Sequence, residues 1–224
     1  MNQRTALLVG ATGLVGGNCL QDLLQSEDYE KVTILVRTPS GMEHDKLEEH
    51  VVNFARLDEY ASIISANDVF CCLGTTMKKA GSEQEFRKVD FTYVVKACAI
   101  AAKNGADQLL VVTAIGANPN SRILYNRIKG ETEEAVSKLP CEAVHLFRPS
   151  LLFGERKESR TAERAGIASL KGFSFLMAGP LKKYRPIDAK AVAQVMVAVA
   201  RESQPGTHIY ESDRIQGLYD AIKQ

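Results

Sequence analysis

The sequence predicts an α/β fold in which helices cover both faces of a parallel sheet. Short apolar runs, typical of buried strands, alternate with helical patterns along most of the 224-residue chain, as in a doubly wound sheet. The first run leads into glycines spaced G-x-x-G-x-x-G, at Gly10, Gly13 and Gly16. We therefore expect a Rossmann-type sheet of order 3-2-1-4-5-6, with one further run near the carboxyl end as a candidate seventh strand.

Apolar runs bounded by turn residues predict the strands in order. Ala6 to Val9 form the first run, and leucines and valines recur at helical spacing after Gly13. The second run ends before a Thr-Pro-Ser-Gly turn, and the fourth ends in a glycine turn. The predicted strands cover residues 6–9, 31–37, 50–54, 68–74, 108–113 and 143–148, with 207–211 as the candidate seventh.

Start and stop signals bound the predicted helices. Ser82 and Glu85 resemble a capping box that opens a long helix, and Gly105 stands where a glycine cap would close it. Pro140 closes the helix that begins at Tyr125. The first predicted helix begins near residue 13. The others cover 57–64, 82–104, 125–139, 189–201 and the residues after 211. Irregular stretches are expected at 75–81, 114–124 and 150–186.

The composition is that of an ordinary globular domain, with 45% hydrophobic and 25% charged residues and a formal net charge of +1. This balance gives no argument for a nucleic-acid partner. The longest apolar stretch, Ala191 to Ala200, is too short to span a membrane. We expect one domain over residues 1–224, in which about 150–190 and 205–224 form a small substrate-side portion.

Cysteine usage and the amino terminus predict a cytoplasmic protein. The five cysteines are odd in number, and Cys71 and Cys72 are adjacent within an apolar run. Buried reduced thiols are the expected state, although this pair is also a candidate redox sensor. The four histidines are scattered, which argues against a metal site. The chain enters its first strand almost at once, so we expect no signal peptide.

The three glycines predict a cradle for a dinucleotide. Gly10 allows a tight turn, Gly13 lets the backbone approach a pyrophosphate, and Gly16 lets the helix pack closely on the strand. The amino end of the following helix would then direct its free N–H groups and its dipole at the phosphates. The alternative is a plain strand-to-helix turn that binds nothing.

Arg37, at the end of the second predicted strand, favours NADP(H) over NAD(H). NAD-binding sheets place a carboxylate near this position to hold the ribose hydroxyls. No carboxylate occurs after the strand before Glu43, and an arginine would pair with a 2′-phosphate. The alternative is that Arg37 is a solvated loop charge.

Tyr125 and Lys129 form a candidate proton-transfer pair, because positions i and i+4 share one face of a helix. An ammonium stabilises a nearby phenolate, so the tyrosine could exchange a proton with a carbonyl or alcohol while a nicotinamide exchanges a hydride. Their helix follows strand five and should lie near the crevice at the carboxyl ends of the strands. Thr113 could donate to the same oxygen, or could be a simple strand residue.

Three motifs together resemble the atypical short-chain dehydrogenase/reductases: the glycine motif at 10–16, the Tyr125–Lys129 pair, and Phe147-Arg148-Pro149-Ser150. The closer resemblance is to the CC3/TIP30 group, which has segments similar to residues 68–76 and 125–131. The resemblance covers roughly residues 5–160. It departs at Thr113, where the family usually has serine, and at Asn53, where an acidic residue is common.

The resemblance implies a Rossmann domain that binds NADPH. Tyr125 and Lys129 would transfer the proton, and Lys129 would also bond the nicotinamide ribose, while Arg37 would meet the 2′-phosphate. The other implied cofactor contacts are Gly10, Thr12, Gly13, Leu14 and Val15 along the pyrophosphate, Leu73, Gly74 and Thr75 beside the adenosine-side ribose and nicotinamide path, and Pro149, Ser150 and Leu151 at the nicotinamide ring.

The sequence leaves three functions open. The leading hypothesis is an NADPH-dependent oxidoreductase acting on a carbonyl or alcohol of a small molecule. The second is an NADP(H)-binding redox sensor that acts through a protein partner, favoured by the missing serine on strand five. The third is an epimerase or dehydratase, which normally needs a larger carboxyl-terminal domain. The basic segment 155–185 is interpreted as a solvated loop, with an anionic-substrate lid as the alternative.

Overall fold

A computed structural model describes residues 3–154 and 179–223 of the chain. Its main sheet has seven strands in the order β3-β2-β1-β4-β5-β6-β9, and every neighbouring pair is parallel. The predicted fold class and strand order are therefore confirmed, and the candidate seventh strand joins the outer edge of β6. The strands are β1 (Arg4–Val9), β2 (Tyr29–Val36), β3 (Leu47–Val51), β4 (Asp68–Cys71), β5 (Gln108–Val112), β6 (Ala143–Arg148) and β9 (Gly206–Glu211).

Helices cover both faces of this sheet. A two-stranded parallel pair, β7 (Leu152–Phe153) with β8 (Ile187–Asp188), lies outside it and was not predicted. Tight 3₁₀ turns occur at Phe54–Ile63 and Gly179–Tyr184. The α-helices are α1 (Leu14–Gln25), α2 (Met77–Ala80), α3 (Glu83–Arg87), α4 (Val94–Lys103), α5 (Leu124–Val136), α6 (Ala189–Glu202) and α7 (Ser212–Ile222).

The alternation of side chains along β1 divides the core into two layers. Ala6 and Leu8 belong to the layer formed with α1, α6 and α7, whereas Leu7 and Val9 belong to the layer with α4, α5 and the first 3₁₀ turn. All four side chains are fully buried, as expected for a strand covered on both faces. The carboxyl ends of the strands thus meet at one edge between two helical layers.

Two predicted elements differ in ways that bear on function. The third strand lies at Leu47–Val51, so the prediction of a strand over 50–54 is wrong after Val51, and Phe54 begins the 3₁₀ turn. The single helix expected over 82–104 is interrupted by a π-helical segment, Lys88–Tyr93, between α3 and α4. A π-helix has one more residue in each hydrogen-bonded turn, which changes the face that each following side chain occupies.

The predicted basic segment falls largely outside the described residues. Lys182 and Lys183 lie in the second 3₁₀ turn, where Lys183 pairs with Glu211 at 3.1 Å. The division of the chain into a main domain and a small substrate-side portion stays a prediction. Of the basic segment, residues 155–178 lie outside the described residues.

Candidate functional site

The turn after β1 crosses directly beneath the end of β4. Gly10 has a φ of +91°, which is a left-handed conformation that favours glycine. A Cβ at this position would lie 2.7 Å from the carbonyl carbon of Cys72 and 2.8 Å from the nitrogen of Leu73. Only a residue without a side chain therefore lets the two strand ends meet here.

The same turn opens α1 toward the carboxyl edge of the sheet. Gly13 is the N-cap of α1 and has no side chain to cover the helix end, and its own N–H donates to the Gly10 carbonyl at 3.0 Å. A Cβ at Gly16 would lie only 2.1 Å from that carbonyl oxygen. Thr12 and Gly13 are exposed, Leu14 is half-buried, and Val15 and Gly16 are buried. This cradle of uncovered backbone N–H groups fits a pyrophosphate.

Arg37 follows β2 and its side chain is exposed at the same edge of the sheet. Glu49, on the neighbouring strand β3, is engaged by the loop after β2. It accepts hydrogen bonds from the Ser40 N–H at 3.1 and 3.2 Å and from the Ser40 hydroxyl. Glu49 thereby holds the loop that follows Arg37.

Tyr125 and Lys129 lie one turn apart on α5, as predicted. The Tyr125 ring is half-buried and packs on Phe86 of α3, with 5.4 Å between ring centroids. Lys129 is buried, and its Nζ lies 2.7 Å from Oδ1 of Asp90. The lysine therefore enters the site as half of a buried ion pair.

Asp90 was not predicted as a site residue, and the π-helical segment places it there. Its Oδ2 accepts the Thr75 N–H at 2.8 Å, and its backbone carbonyl accepts the Thr132 hydroxyl at 2.9 Å. A Cβ at Gly74 would lie 3.3 Å from Asp90 Oδ1 and 3.6 Å from Lys129 Nζ. The backbone after β4 thus closes over the ion pair. A carboxylate within an otherwise apolar helical pattern was the sequence signal for it.

The electrostatics keep Lys129 charged despite its burial. Desolvation alone would lower the pKa of Lys129, because burial disfavours the ammonium. The charge and hydrogen bond of Asp90, together with Tyr125 and Cys71, outweigh this effect, and the pKa of Lys129 lies above its ordinary value. The site therefore contains a compensated Lys129–Asp90 pair in place of an isolated cation.

A glycine in α5 lets the loop after β5 lie against that helix. A Cβ at Gly130 would lie 2.2 Å from the Pro119 nitrogen and 2.3 Å from the Asn118 carbonyl carbon. The Asn118 N–H also donates to the Asn126 carbonyl at 2.9 Å. The position of α5, and with it that of Tyr125 and Lys129, is fixed by these backbone contacts.

The hydrogen bonds of Thr113 go to Glu133 and Phe147, and none joins it to Tyr125 or Lys129 in the described residues. Its hydroxyl is buried, lies 2.6 Å from Glu133 Oε1 and is 3.2 Å from the Phe147 carbonyl. Arg148 completes this cluster by binding both Glu133 oxygens, at 2.9 and 2.5 Å. A hydroxyl can donate one hydrogen bond, and here the Glu133 carboxylate accepts it. The role of Thr113 as a donor to substrate stays a prediction that this arrangement does not support.

The remaining predicted contacts follow the ends of β4 and β6. Leu73 and Thr75 are half-buried and Gly74 is exposed beside the ion pair. The Ser150 N–H donates to the Ser212 hydroxyl at 2.7 Å, and the Ser150 hydroxyl donates to the Arg185 carbonyl. Pro149 is buried and Leu151 is 52% exposed. These residues follow the carboxyl ends of β4 and β6.

Four free cysteines near the site form two hydrogen-bonded thiol pairs, Cys19 with Cys72 and Cys71 with Cys98. A hydrogen bond with Cys19, reinforced by burial, raises the pKa of Cys72 well above its ordinary value. The hydrogen bond within the other pair lowers the pKa of Cys71 and raises that of Cys98. Cys19, Cys71 and Cys98 are buried and Cys72 is half-buried, and raised pKa values are expected of unreactive thiols.

Metal and membrane features were searched over the described ranges. Residues 3–154 and 179–223 contain no group of three or more His, Cys, Asp and Glu side chains able to hold a metal ion. No helix in those ranges has the length and apolar character needed to cross a bilayer.

Comparison with known proteins agrees with the glycine cradle. Residues 10–138 match the NAD(P)H-binding family model. The chain is 36% identical to HTATIP2 of Rattus norvegicus over 167 residues, which cover 73% of this chain and 69% of the rat protein. It is 31% identical to the mitochondrial protein FMP52-1 of Scheffersomyces stipitis over 97% of this chain and 100% of the fungal protein.

Solved structures with low sequence identity share the fold. A UDP-N-acetylglucosamine 4-epimerase from Methanobrevibacter ruminantium superposes with a TM-score of 0.70 at 15% identity, covering 100% of this chain and 84% of the epimerase. The Bordetella bronchiseptica enzyme WbmH, in complex with NAD⁺, gives 0.71 at 16% identity over 99% and 81%. The chain therefore belongs to the NAD(P)H-binding family and is related to HTATIP2 and FMP52.

Proposed function

We propose that this protein is an NADP(H)-dependent oxidoreductase that interconverts a carbonyl and an alcohol of a small molecule. One observation carries the proposal: the segment Cys72–Gly74 touches both ends of the site. Gly10 packs against the backbone of Cys72 and Leu73, while Gly74 lies beside Lys129. Consecutive Cα atoms are about 3.8 Å apart. This shared segment supports a crevice in which the proposed phosphate cradle and the proposed proton-transfer pair act on one cofactor.

The chemistry divides between the cofactor and the chain. A bound nicotinamide supplies or accepts a hydride. The Tyr125 hydroxyl exchanges the proton with the substrate oxygen, because a phenol can act as acid or base in a site that stabilises its phenolate. The Lys129 ammonium provides that stabilisation and keeps further N–H donors for a ribose hydroxyl. Pro149, Ser150 and Leu151 are proposed to border the nicotinamide ring.

The 2′-phosphate preference rests on Arg37. Its exposed guanidinium follows the strand whose end holds the adenosine ribose in such sheets. Glu49, a carboxylate on the neighbouring strand, is engaged by Ser40. These features favour a phosphorylated ribose. The nucleotide that copurifies with the protein, identified by mass spectrometry, tests this preference directly.

Replacement of the proposed acid tests the enzyme. We expect Tyr125→Phe to lower the turnover of an accepted carbonyl substrate by about 10²- to 10⁴-fold, since general acid catalysis contributes about that much. NADPH affinity, measured by calorimetry, should remain within about twofold of the parent. The control is Tyr60→Phe in the first 3₁₀ turn, which should change neither quantity. Unchanged turnover in Tyr125→Phe would contradict the proposal.

A second function is favoured by the hydrogen bonds of Thr113. Because its hydroxyl is bonded to Glu133, the site lacks the donor expected from strand five, which suits a protein that senses the NADP⁺/NADPH ratio with little turnover. Such a sensor needs a protein partner whose affinity differs between the two cofactor forms. Equal affinities in a pull-down with each form would reject it.

The compartment is part of this proposal. Reduced thiols in the core are consistent with a cytoplasmic location, whereas the fungal FMP52 relatives are named as mitochondrial proteins. Fractionation of cells that produce the untagged full chain decides between the two.

A further inference from the structure

We propose that Glu133 is a positioning residue. By binding the ends of β5 and β6 at once, it determines where the proton donor on α5 lies relative to the nicotinamide. This inference rests on the proposed function and deepens it, because it names the side chain that joins the two reacting ends of the crevice. It also gives the hydrogen bond between Thr113 and Glu133 a role in an enzyme.

The Glu133 carboxylate is shared by two strand ends. Its side chain is 7% exposed, and its Oε1 accepts the Thr113 hydroxyl at 2.6 Å and the Arg148 Nε–H at 2.9 Å. Its Oε2 accepts Arg148 Nη2 at 2.5 Å. A guanidinium that binds both oxygens of a carboxylate fixes its direction as well as its distance. Glu133 therefore has little freedom to move relative to either strand.

The charges of this cluster are compensated within it. The hydrogen bond to Glu133 raises the pKa of Arg148, and the negative charge of Glu133 acts in the same direction, against the opposing effect of burial. The negative charge of Glu211 adds to the increase. Arg148 therefore remains a cation, and the ion pair is a fixed part of the folded protein.

On the helix side, Glu133 is continuous with the proposed proton-transfer pair. Tyr125, Lys129 and Glu133 follow one another at intervals of four residues and share one face of α5. Eight residues of α-helix span about 12 Å, and the backbone hydrogen bonds of the helix keep that length constant. A carboxylate that is fixed to the sheet therefore determines how far Tyr125 lies beyond the strand ends.

On the strand side, the cluster leads directly to the proposed nicotinamide border. The Thr113 N–H donates to the Phe147 carbonyl at 2.7 Å, and the Ile115 N–H donates to the Pro149 carbonyl at 2.9 Å. The pairing of β5 with β6 thus continues past both strands and includes the first residue of that border. Glu133 therefore joins the helix of the proposed proton donor to the backbone beside the proposed hydride donor.

Two reacting groups on separate elements need a fixed distance between them. In the proposed reduction, the substrate carbon takes a hydride from NADPH and its oxygen takes the Tyr125 proton, which leaves NADP⁺ and a tyrosinate that water reprotonates. A displacement of about 1 Å can lower such a rate by about 10²-fold. Weakening the Glu133 cluster should therefore lower kcat more than it lowers the affinity for the cofactor.

Glu133→Gln tests the inference, because it removes the charge while keeping the size of the side chain. We expect kcat for an accepted carbonyl substrate to fall by about 10- to 100-fold. The Kd of NADPH, measured by calorimetry, and the KM of the substrate should stay within about threefold of the parent. The fluorescence emission of bound NADPH, which reports the surroundings of the nicotinamide, should change.

The matched control removes the neighbouring carboxylate of the same helix. Glu134 pairs with Lys138 at 2.6 Å, and both side chains are exposed. Glu134→Gln should leave kcat, KM, the NADPH affinity and the emission unchanged. A kcat in folded Glu133→Gln within about threefold of the parent overturns the inference.

An apolar pair separates positioning from stability. Replacing both members of a buried ion pair by apolar residues often leaves stability unchanged or raises it. Glu133→Leu combined with Arg148→Met should therefore recover the free energy of unfolding, measured in urea, without recovering kcat. A residue that only stabilises the fold would recover both, so a recovered kcat in this double variant overturns the inference.

Arg148→Lys covers the case in which Glu133→Gln does not fold. A lysine keeps the charge but cannot bind both carboxylate oxygens as a fork, so kcat should again fall by about tenfold or more at unchanged NADPH affinity. If the parent turns over no carbonyl compound, the proposed function is rejected, and the emission of bound NADPH then decides the inference. Equal emission from the parent and the folded variant overturns it.

Discussion

The two ends of the proposed cofactor crevice are built from different parts of the chain. The cradle after β1 uses backbone from seven consecutive positions, Gly10 to Gly16. It requires that Gly10 and Gly16 have no side chain. The opposite end uses the side chains of Tyr125, Lys129 and Asp90, which come from two helical segments. The first end can bind phosphate with N–H groups alone, whereas the second needs charges placed by tertiary packing.

This difference teaches which changes each end tolerates. The glycine turn has no adjustable group, because its shape follows from backbone clashes at 2.1 and 2.7 Å that any Cβ would create. The lysine end can be tuned, since replacing a carboxylate by an amide changes charge with little change of shape. Binding and proton transfer should therefore respond to separate sets of substitutions, and the predictions below test that separation.

The largest effect is expected at the glycine turn. Gly16→Ala places a Cβ 2.1 Å from the Gly10 carbonyl oxygen, which forces α1 away from β1. We expect a loss of about 1–3 kcal/mol in the free energy of unfolding and a loss of about tenfold or more in NADPH affinity, equivalent to about 1.4 kcal/mol. Urea unfolding and calorimetry measure the two quantities.

The neighbouring glycine is the matched control. A Cβ at Gly17 would lie 3.5 Å from the Ala11 oxygen, an ordinary contact. Gly17→Ala should leave NADPH affinity unchanged and, since alanine favours a helix, should raise stability by up to about 1 kcal/mol. Equal behaviour of the two variants would mean that the cradle does not depend on close packing at Gly16.

The second prediction applies the same test to the opposite end. Gly130→Ala sets a Cβ 2.2 Å from the Pro119 nitrogen, so α5 must move from the loop that holds it. We expect a stability loss of about 1–3 kcal/mol and a larger loss of turnover than of NADPH affinity. Gly217→Ala in α7 is the control, because nothing lies within 4 Å of its Cβ position. A loss of NADPH affinity as large as that of Gly16→Ala would break the separation.

The sequence predicts the glycine turn, which is contiguous in the chain, better than the Tyr125 and Lys129 end, which is assembled from separate segments. The glycine cradle could be predicted because its spacing and its flanking strand and helix are contiguous. Asp90 was missed because its partner Lys129 belongs to a different helical segment, and the π-helical segment Lys88–Tyr93 that contains Asp90 was predicted as part of one regular helix. A hydrogen-bond pattern of this kind depends on the packing of α5 and leaves little trace in apolar periodicity.

Thr113 shows the same limitation of sequence-based prediction at a residue whose place was predicted. Its place at the end of β5 was predicted, but its partner was not, because Glu133 lies 20 residues away in sequence. The spacing of Lys129 and Glu133 on one face of α5 was a usable signal. The fold itself was predictable almost throughout, since strand order follows from connection rules, whereas each side-chain partner in the site depends on long-range packing.

The third prediction separates acid effects on stability from effects in the crevice. Burial, with the nearby His208 and Arg214 charges, lowers the pKa of His145 from 6.5 to about 4. The unfolded chain then binds a proton that the folded chain does not, so stability falls as the pH drops from 6.5 toward 4. Between pH 7 and pH 5 this group should cost about 2 kcal/mol.

Urea unfolding at the two pH values measures that cost. His145→Phe should remove about 2 kcal/mol of the pH dependence seen in the parent. An undiminished pH dependence would show that His145 is not the acid-sensitive group. The His145 ring lies in β6 and stacks on His208 of β9, with 5.2 Å between centroids. Because acid affects folding through His145, titrations of Tyr125 and Lys129 should be carried out above pH 6.5.

The smallest effect is expected at Arg37. Its side chain is exposed, so water and salt weaken any ion pair that it makes. We expect Arg37→Ala to weaken NADPH binding by about tenfold, or about 1.4 kcal/mol, and to leave NADH binding unchanged. The NADPH effect should shrink as salt is raised, because the lost contact is between exposed charges. Arg122→Ala, an exposed arginine before α5, is the control. If Arg37→Ala weakens NADPH and NADH equally, Arg37 acts on the shape of the loop, and the phosphate end of the crevice is defined by the glycine turn alone.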